Sequence, residues 1–308
     1  MGINLPITID SELNKSLVSF VKVQNSTNYY LQKAILESLD LINYSFEKKI
    51  RNVVIKPNMC YYWDYSTGQT TDPAFVVAII DVIRDKVSSD VNVSIVESDA
   101  SAMKCDYAFK MLGYEKIAKK NNIKLVNLSM DDSEKVNVVV GGQSLHFRVP
   151  QTIKNADLCV NVPKIKYMLK TGISCALKNV FGCNPYQKKF KYHPKLDETI
   201  IALNKIIKFD LCITDGIIVS GSKPRKLGLV MTSRDPVSLD VAAAKIAGIK
   251  AKSVRHIMLA SKEGIGNTSY ISKGINPKYF ETRYPKKTYQ VKMLKTAYQF
   301  VNRFGLLN

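Results

Sequence analysis

The chain has 308 residues, 46% hydrophobic and 23% charged, a balance that excludes intrinsic disorder and suits one large α/β domain or two small ones. Its 45 basic against 26 acidic residues give a formal charge of +19, a field that favours polyanions, phosphorylated small molecules or an anionic membrane surface. No apolar run reaches the roughly 18–20 residues that span a bilayer. MGINLPITIDSELNK lacks the basic and apolar regions of a secretory signal, so a cytoplasmic protein is expected.

Residues 1–50 are polar and mixed, with helical spacing around YLQKAILESLDL (30–41). RNVVIKPN (51–58) reads as a buried strand stopped by Pro57. A loop rich in Tyr, Thr, Gly and Asp follows, and Tyr61, Tyr62, Trp63 and Tyr65 in it suit a lid over a site mouth. Asp72-Pro73 then opens a helix, because Asp can cap it and Pro fits its first position. VNVSIVES (91–98) is the next strand, a helix covers about 106–120, and IKLVNL (123–128) is another strand.

VNVVVGGQSLHFRV (136–149) alternates around Gly141-Gly142 and predicts a hairpin containing His146. ADLCVNVPK (156–164) is a strand, GISCALKNVFG (172–182) a helix between two glycines, and LDETIIALNKII (196–207) a second helix. FDLCITDGI (209–217) and LGLVMTS (227–233) are strands, and Asp235-Pro236 starts another helix. Two helical segments complete the basic C-terminal part, with His256 at its surface. The alternation predicts an α/β fold: a mostly parallel sheet, helices on both faces and one antiparallel hairpin insertion. Six cysteines, none in a CxxC pair, are expected to be mostly reduced in a large chain without a secretion signal.

Ligands of open α/β sheets bind beyond the carboxyl ends of the strands. There the reading places Lys56 and Asn58, then Glu97, Ser98 and Asp99, then Asn161, Lys164 and Lys166, then Asp215, and finally Ser233, Arg234 and Asp235. Residues 161–193 carry seven lysines and no carboxylate, interleaved with small and apolar residues. Lys178, in ISCALKNVFG, is expected to share a helical face with Ser174 and Gly182. A lysine so placed either snorkels or serves a ligand. TGIS (171–174) offers backbone N–H groups at the expected helix start beside the Thr171 and Ser174 hydroxyls, a phosphate or carboxylate cradle without a Walker A pattern. His193 follows the lysines and suits proton transfer.

Taken together, IKPN (55–58), TTDP (70–73), NVPKIK (161–166), TGISCALKNVFGC (171–183), His193, TDG (214–216) and SRDPVSLDVAAAKIAG (233–248) resemble, in order, the DUF362 family of uncharacterised α/β proteins. The resemblance covers about residues 50–250. It implies an α/β core there, between an N-terminal helical extension (1–49) and a basic helical segment (251–308). Some relatives carry a ferredoxin module; this chain lacks its Cys spacing, so no iron–sulfur cluster is expected. Relatives often place a His before the TG pair, where this chain has Met168; any role of that His is lost here or moved, with His193 the candidate.

Two readings of the positive charge follow. In the first, an enzyme takes an anionic small molecule in a lysine-lined cleft, with a divalent metal as an option. Substrate binding falls to Lys56, Asn58, Thr71, Asn161, Lys164, Lys166, Thr171, Gly172, Ser174 and Asn179. Catalysis falls to Lys178, His193 and Asp215, and metal contact to Glu97 and Asp240. In the second, a non-enzymatic binding protein sits on an anionic membrane surface through its C-terminal segment, where residues 250–308 carry twelve Lys/Arg against two Glu. Nucleic acid suits the charge, but no recognition motif accompanies it.

Overall fold

The computed structural model describes residues 15–285. The part of the basic C-terminal segment expected on a membrane surface that follows residue 285 lies outside the described residues. The described residues begin with β1 (Ser16–Lys22), α1 (Asn28–Asp40), β2 (Asn52–Pro57), α2 (Pro73–Lys86) and β3 (Asn92–Glu97). After α3 (Cys105–Met111), α4 (Tyr114–Asn121) and β4 (Lys124–Asn127) come the hairpin strands β5 (Ser133–Val140) and β6 (Gln143–Pro150). A short α5 (Gln151–Lys154) leads to β7 (Leu158–Val162) and a small ladder of β8 (Lys166–Met168) and β9 (Gly172–Ser174). Next are α6 (Ala176–Asn179), α7 (Leu196–Ile206), β10 (Leu211–Val219) and β11 (Arg225–Ser233). The described chain ends with α8 (Pro236–Ile246), α9 (Arg255–Lys262), β12 (Tyr270–Gly274) and α10 (Pro277–Glu281).

Eight strands form one sheet in the order β12-β1-β11-β10-β7-β2-β3-β4. Only β11 runs against its neighbours, pairing antiparallel with β1 and β10, so the sheet is mostly parallel. The apolar strands serve both faces because successive side chains alternate. Val53, Ile55, Leu158 and Val160 pack with α1 and α2, including Leu31, Ile35, Phe75 and Ile79. Val54 and Cys159 pack on the other face with Leu177 of α6, Ile200 of α7, Leu239 of α8 and Ile257 of α9.

Local chemistry sets the element ends. The Asp72 carboxylate accepts from Ala74 N at 2.8 Å with Pro73 behind it, and Asp235 accepts from Val237 N at 2.8 Å and Ser238 N at 3.0 Å, so both Asp-Pro pairs open helices as expected. Gly141 and Gly142 adopt φ +57° and +77°, the left-handed pair that a two-residue hairpin turn requires. The six cysteines are free thiols.

Four expectations change. The N-terminal region is not only helical: α1 is present, but β1 enters the sheet between β12 and β11, and its Val18, Phe20 and Val21 are core. The strand with Asp215 continues to Val219 past an irregularity between Gly216 and Ile218, so Asp215 lies mid-strand. β11 begins at Arg225, with only five connecting residues after β10; a parallel return needs about a dozen or more, so it turns back antiparallel. That places Ser233 opposite Cys212 and carries Ser233, Arg234 and Asp235 to the amino edge of the parallel strands, away from the carboxyl edge where they were expected. Finally, residues 172–182 are not one helix: β9 pairs with β8, and α6 begins only at Ala176.

Candidate functional site

The carboxyl edges of β2 and β3, the β8–β9 ladder, α6 and the turn at 189–195 border a half-open cavity of about 220 Å³. Lys56, Lys166, Lys178 and Lys189 line it, with Glu97 the one carboxylate among the described residues of its wall. Asn58, Ser98, Ser174, Asn179 and His193 add polar groups, and Met59, Met103, Met168, Phe181 and Phe190 add apolar ones.

Each ammonium is held differently. Lys56, 1% exposed, donates to Glu97 Oε2 at 2.7 Å and to its neighbour's carbonyl, Pro57 O, at 2.6 Å. Glu97 Oε1 also accepts from Ser98 N at 2.9 Å. Gly182 makes room for the pair: a Cβ there would stand 2.7 Å from Glu97 Oε1 and 2.9 Å from Lys56 Nζ. Lys166 donates to Asn58 Oδ1 at 2.7 Å and Gln69 O at 2.9 Å, both neutral acceptors. Lys189 donates to Ser98 Oγ, which in turn donates to Gly182 O. Lys178 Nζ faces the Phe181 ring at 5.6 Å.

Burial and mutual repulsion favour the neutral amines. Burial, then Lys166 and Lys189, pushes Lys178 down to about 8 against the pull of Cys60. Burial, then Lys56, also takes Lys189 to about 8 against the attraction of Glu97. Lys166 is lowered by burial first, then by Lys164 and Lys56, with Cys60 opposing. His193 falls below the ordinary imidazole range through burial, then Lys170 and Lys178.

An asparagine relay supports the wall. Asn161 donates to Ala176 O at 3.0 Å and accepts from Asn179 Nδ2 at 2.7 Å. Asn179 donates also to Lys56 O at 3.1 Å and accepts from Asn58 Nδ2 at 2.9 Å. Thr71 fixes the start of the long loop, accepting from Asn58 N at 2.9 Å and donating to Val162 O at 2.9 Å. From below, Asp240 Oδ1 accepts from Ala176 N at 2.6 Å and Leu177 N at 3.4 Å, an arrangement that orients α6 and so Lys178.

The cavity therefore gathers Lys56, Asn58, Glu97, Lys166, Ser174, Lys178, Asn179 and His193, and leaves seven expected residues outside its wall. Thr71 and Asn161 are one hydrogen bond behind it. Lys164 forms a closed buried pair with Asp215 Oδ2 at 3.1 Å and donates to Ile218 O at 2.7 Å; both side chains are at most 1% exposed. Thr171 donates to Ile173 O at 2.9 Å, and Gly172 opens a strand, so the expected helix-start cradle is not formed. Ser174 and Gly182 do line the same cavity as Lys178, brought there by a strand and a turn instead of a helical face.

The two carboxylates expected at a metal share no hydrogen-bond partner, since Glu97 holds Lys56 and Ser98 N while Asp240 holds the start of α6. Among the described residues no three His, Cys, Asp or Glu side chains form a metal-binding group. His256 is not at the surface: it is fully buried in α9, with ring nitrogens 3.7 Å from Asp197 Oδ1 and 3.7 Å from Asp240 Oδ2. Its exposed neighbour on the helix, Arg255, pairs with Asp197 and Glu198.

Lys189, Cys60 and Phe181 are wall residues that the sequence reading did not assign to the site. Lys189 stood within the lysine run, and Cys60 two residues beyond Asn58, so position after a motif was the available signal. Of the expected lid, Tyr61 lines the cavity and contacts Trp63 at 6.0 Å between ring centroids, while Tyr62 accepts from Lys104 N at 2.9 Å.

The fold and this cavity define an α/β protein with a mostly parallel sheet and a cationic pocket at the carboxyl edge. The family model described as "Domain of unknown function (DUF362)" matches residues 53–245, and the chain belongs to that family. It is 27% identical over 137 residues to the thylakoid-associated protein sll1697 of Synechocystis sp., a match spanning 40% of this chain and 43% of that protein. Among solved structures, the lactate racemase apoprotein from Thermoanaerobacterium thermosaccharolyticum aligns with a TM-score of 0.48 and 14% identity, over 81% of this chain and 60% of that one. No helix among the described residues is long and apolar enough to cross a membrane.

Proposed function

We propose that the protein is an enzyme that binds a small phosphate- or carboxylate-bearing molecule in the cavity bounded by β2, β3 and α6. One observation carries this reading: among the described residues, four lysines and a single carboxylate line one cavity. Three of the lysines are at most 5% exposed; Lys56 is answered by Glu97, but Lys166 and Lys189 meet only neutral acceptors, so their charge is poorly offset by water as well as by protein. An incoming anion relieves both deficits and gains charge-assisted hydrogen bonds. The cavity is smaller than the roughly 300–1,000 Å³ of drug-sized sites, which favours a compact metabolite. His193 and the lowered lysines Lys178 and Lys189 supply groups able to exchange protons near neutral pH. A divalent metal remains an option only as a companion of the anion, because Glu97 is already engaged by Lys56.

Thermal-shift screening with phosphorylated and carboxylated metabolites tests the reading. Ligand at about a hundred times its dissociation constant adds roughly 2.7 kcal/mol of stability, enough to read as a raised Tm. The gain should shrink in Lys178→Met. A full panel with no stabilisation of the wild-type chain would sink the proposal.

A further inference from the structure

The geometry points to Lys178 as a nucleophilic amine that forms a Schiff base with a small α-oxo acid, whose carboxylate Lys166 and Lys189 hold. The inference rests on the reading of the cavity as an anion site and adds a reaction and a substrate class to it.

The four wall lysines are not equivalent. Lys56 is committed to Glu97 and Pro57 O, Lys166 to Asn58 and Gln69 O, and Lys189 to Ser98 Oγ. Among the described residues Lys178 Nζ has no hydrogen-bond acceptor and no carboxylate partner, and its recorded contact is the face of Phe181. An amine tied into oxygen acceptors is held in place by its protons. Lys178 is restrained by none, so its nitrogen is free to turn toward a guest. It is also the wall lysine left partly exposed, whereas the other three are buried.

Its surroundings favour the reactive form. Burial and the Lys166 and Lys189 charges bring Lys178 to about 8. At about pH 7.5 roughly a quarter of such a group is free amine, against about one part in a thousand for an ordinary lysine. Neighbouring cations that repel the Lys178 proton are the same groups that would seat a carboxylate, so one arrangement serves nucleophile and substrate.

The chemistry is a condensation and needs no oxidant or reductant. The Lys178 lone pair forms a C–N bond to the carbonyl carbon while the carbonyl π pair moves to oxygen. Both amine protons pass to that oxygen, which leaves as water as the nitrogen closes the C=N bond. His193, held below the ordinary imidazole range, is largely neutral near neutral pH and can relay those protons from its place in the same wall.

The test incubates the wild-type chain with pyruvate and sodium cyanoborohydride at about pH 7.5, followed by peptide mass spectrometry. The reduced adduct is expected at Lys178, exceeding that on any exposed lysine by on the order of a hundredfold. Inorganic phosphate should suppress it. Lys178→Arg should lack it, because guanidinium keeps the charge without a free amine. Acetone, with the carbonyl but no carboxylate, should label far less. Adduct spread evenly over surface lysines, or equal labelling by acetone, overturns the proposal. If Lys178→Arg does not fold, the wild-type peptide map and the phosphate competition still decide. Calorimetric titration of wild type with inorganic phosphate separates the two layers: phosphate binding without adduct removes the Schiff base and keeps the anion site, while failure of both removes both.

Discussion

Lys164 and Lys166 are two residues apart, both nearly inaccessible, and they lie in different electrostatic worlds. Lys164 closes on Asp215 and Ile218 O, so its charge is answered inside the protein. Lys166 reaches Asn58 and Gln69 O, which orient its ammonium but leave its charge unanswered, in a wall shared with Lys178 and Lys189. What separates a structural lysine from a candidate ligand-binding one here is the identity of the acceptor. Burial alone does not sort them, and neither does position in the lysine-rich run.

That contrast can be broken at its closed end first. Asp215→Asn strands the buried Lys164 charge, and the unfolding free energy should fall by about 3–5 kcal/mol in urea titration while phosphate affinity changes little. A loss within experimental noise would mean that Lys164 finds water and is no more committed than Lys166. The open end should respond the other way. Lys178→Met removes a charge that folding disfavours, so it should keep or raise its urea midpoint and lose phosphate affinity, because a charged hydrogen bond of roughly 1.5–3 kcal/mol corresponds to about a ten- to hundredfold change in Kd. Equal affinity of variant and wild type by calorimetry would remove Lys178 from the site.

Gly182→Ala probes the boundary between the two regions. Its Cβ would press on Glu97 and Lys56, and overpacking of this kind costs about 1–3 kcal/mol. A lowered Tm together with weaker phosphate binding is expected, and an unchanged Tm would show that the Lys56–Glu97 pair shifts freely. The last test is a pH dependence of opposite sign for stability and binding. Lys178 and Lys189 release protons near pH 8 when folded but only near the ordinary lysine value when unfolded. Between those limits the unfolded chain holds more protons, so stability should rise with pH through that window. Anion affinity should fall over the same interval, because the ammonium is the binding form. Parallel fluorescence melts and phosphate titrations read both slopes, and slopes of the same sign would undo the assignment.

Much of the fold was legible locally. Apolar runs such as Val53–Ile55 and ADLCV require burial on two faces, and the Asp-Pro pairs carry their own capping chemistry. The Gly141-Gly142 turn was legible for the same reason, since its φ values need glycine. The reversed β11 was readable in principle from its five-residue connection, and reading it as parallel misplaced Ser233, Arg234 and Asp235. The stretch 171–182 misled because its composition suits a helix, while pairing of Gly172–Ser174 with Lys166–Met168 makes its first part a strand. His256 misled because it sits in a basic segment, whereas α9 turns its ring toward Asp197 and Asp240.

By itself the sequence determined that the chain builds an α/β sheet covered on both faces and that lysines crowd one stretch of it. Those properties follow from side-chain polarity, periodicity and capping, which act over a few residues. Only the tertiary structure decided which lysine meets which oxygen. Asp215 reaches Lys164 across 51 positions of chain (215 less 164), Glu97 reaches Lys56 across 41, and among the described residues no carboxylate pairs with Lys178. Electrostatic compensation depends on distance in space, and chain spacing does not encode it.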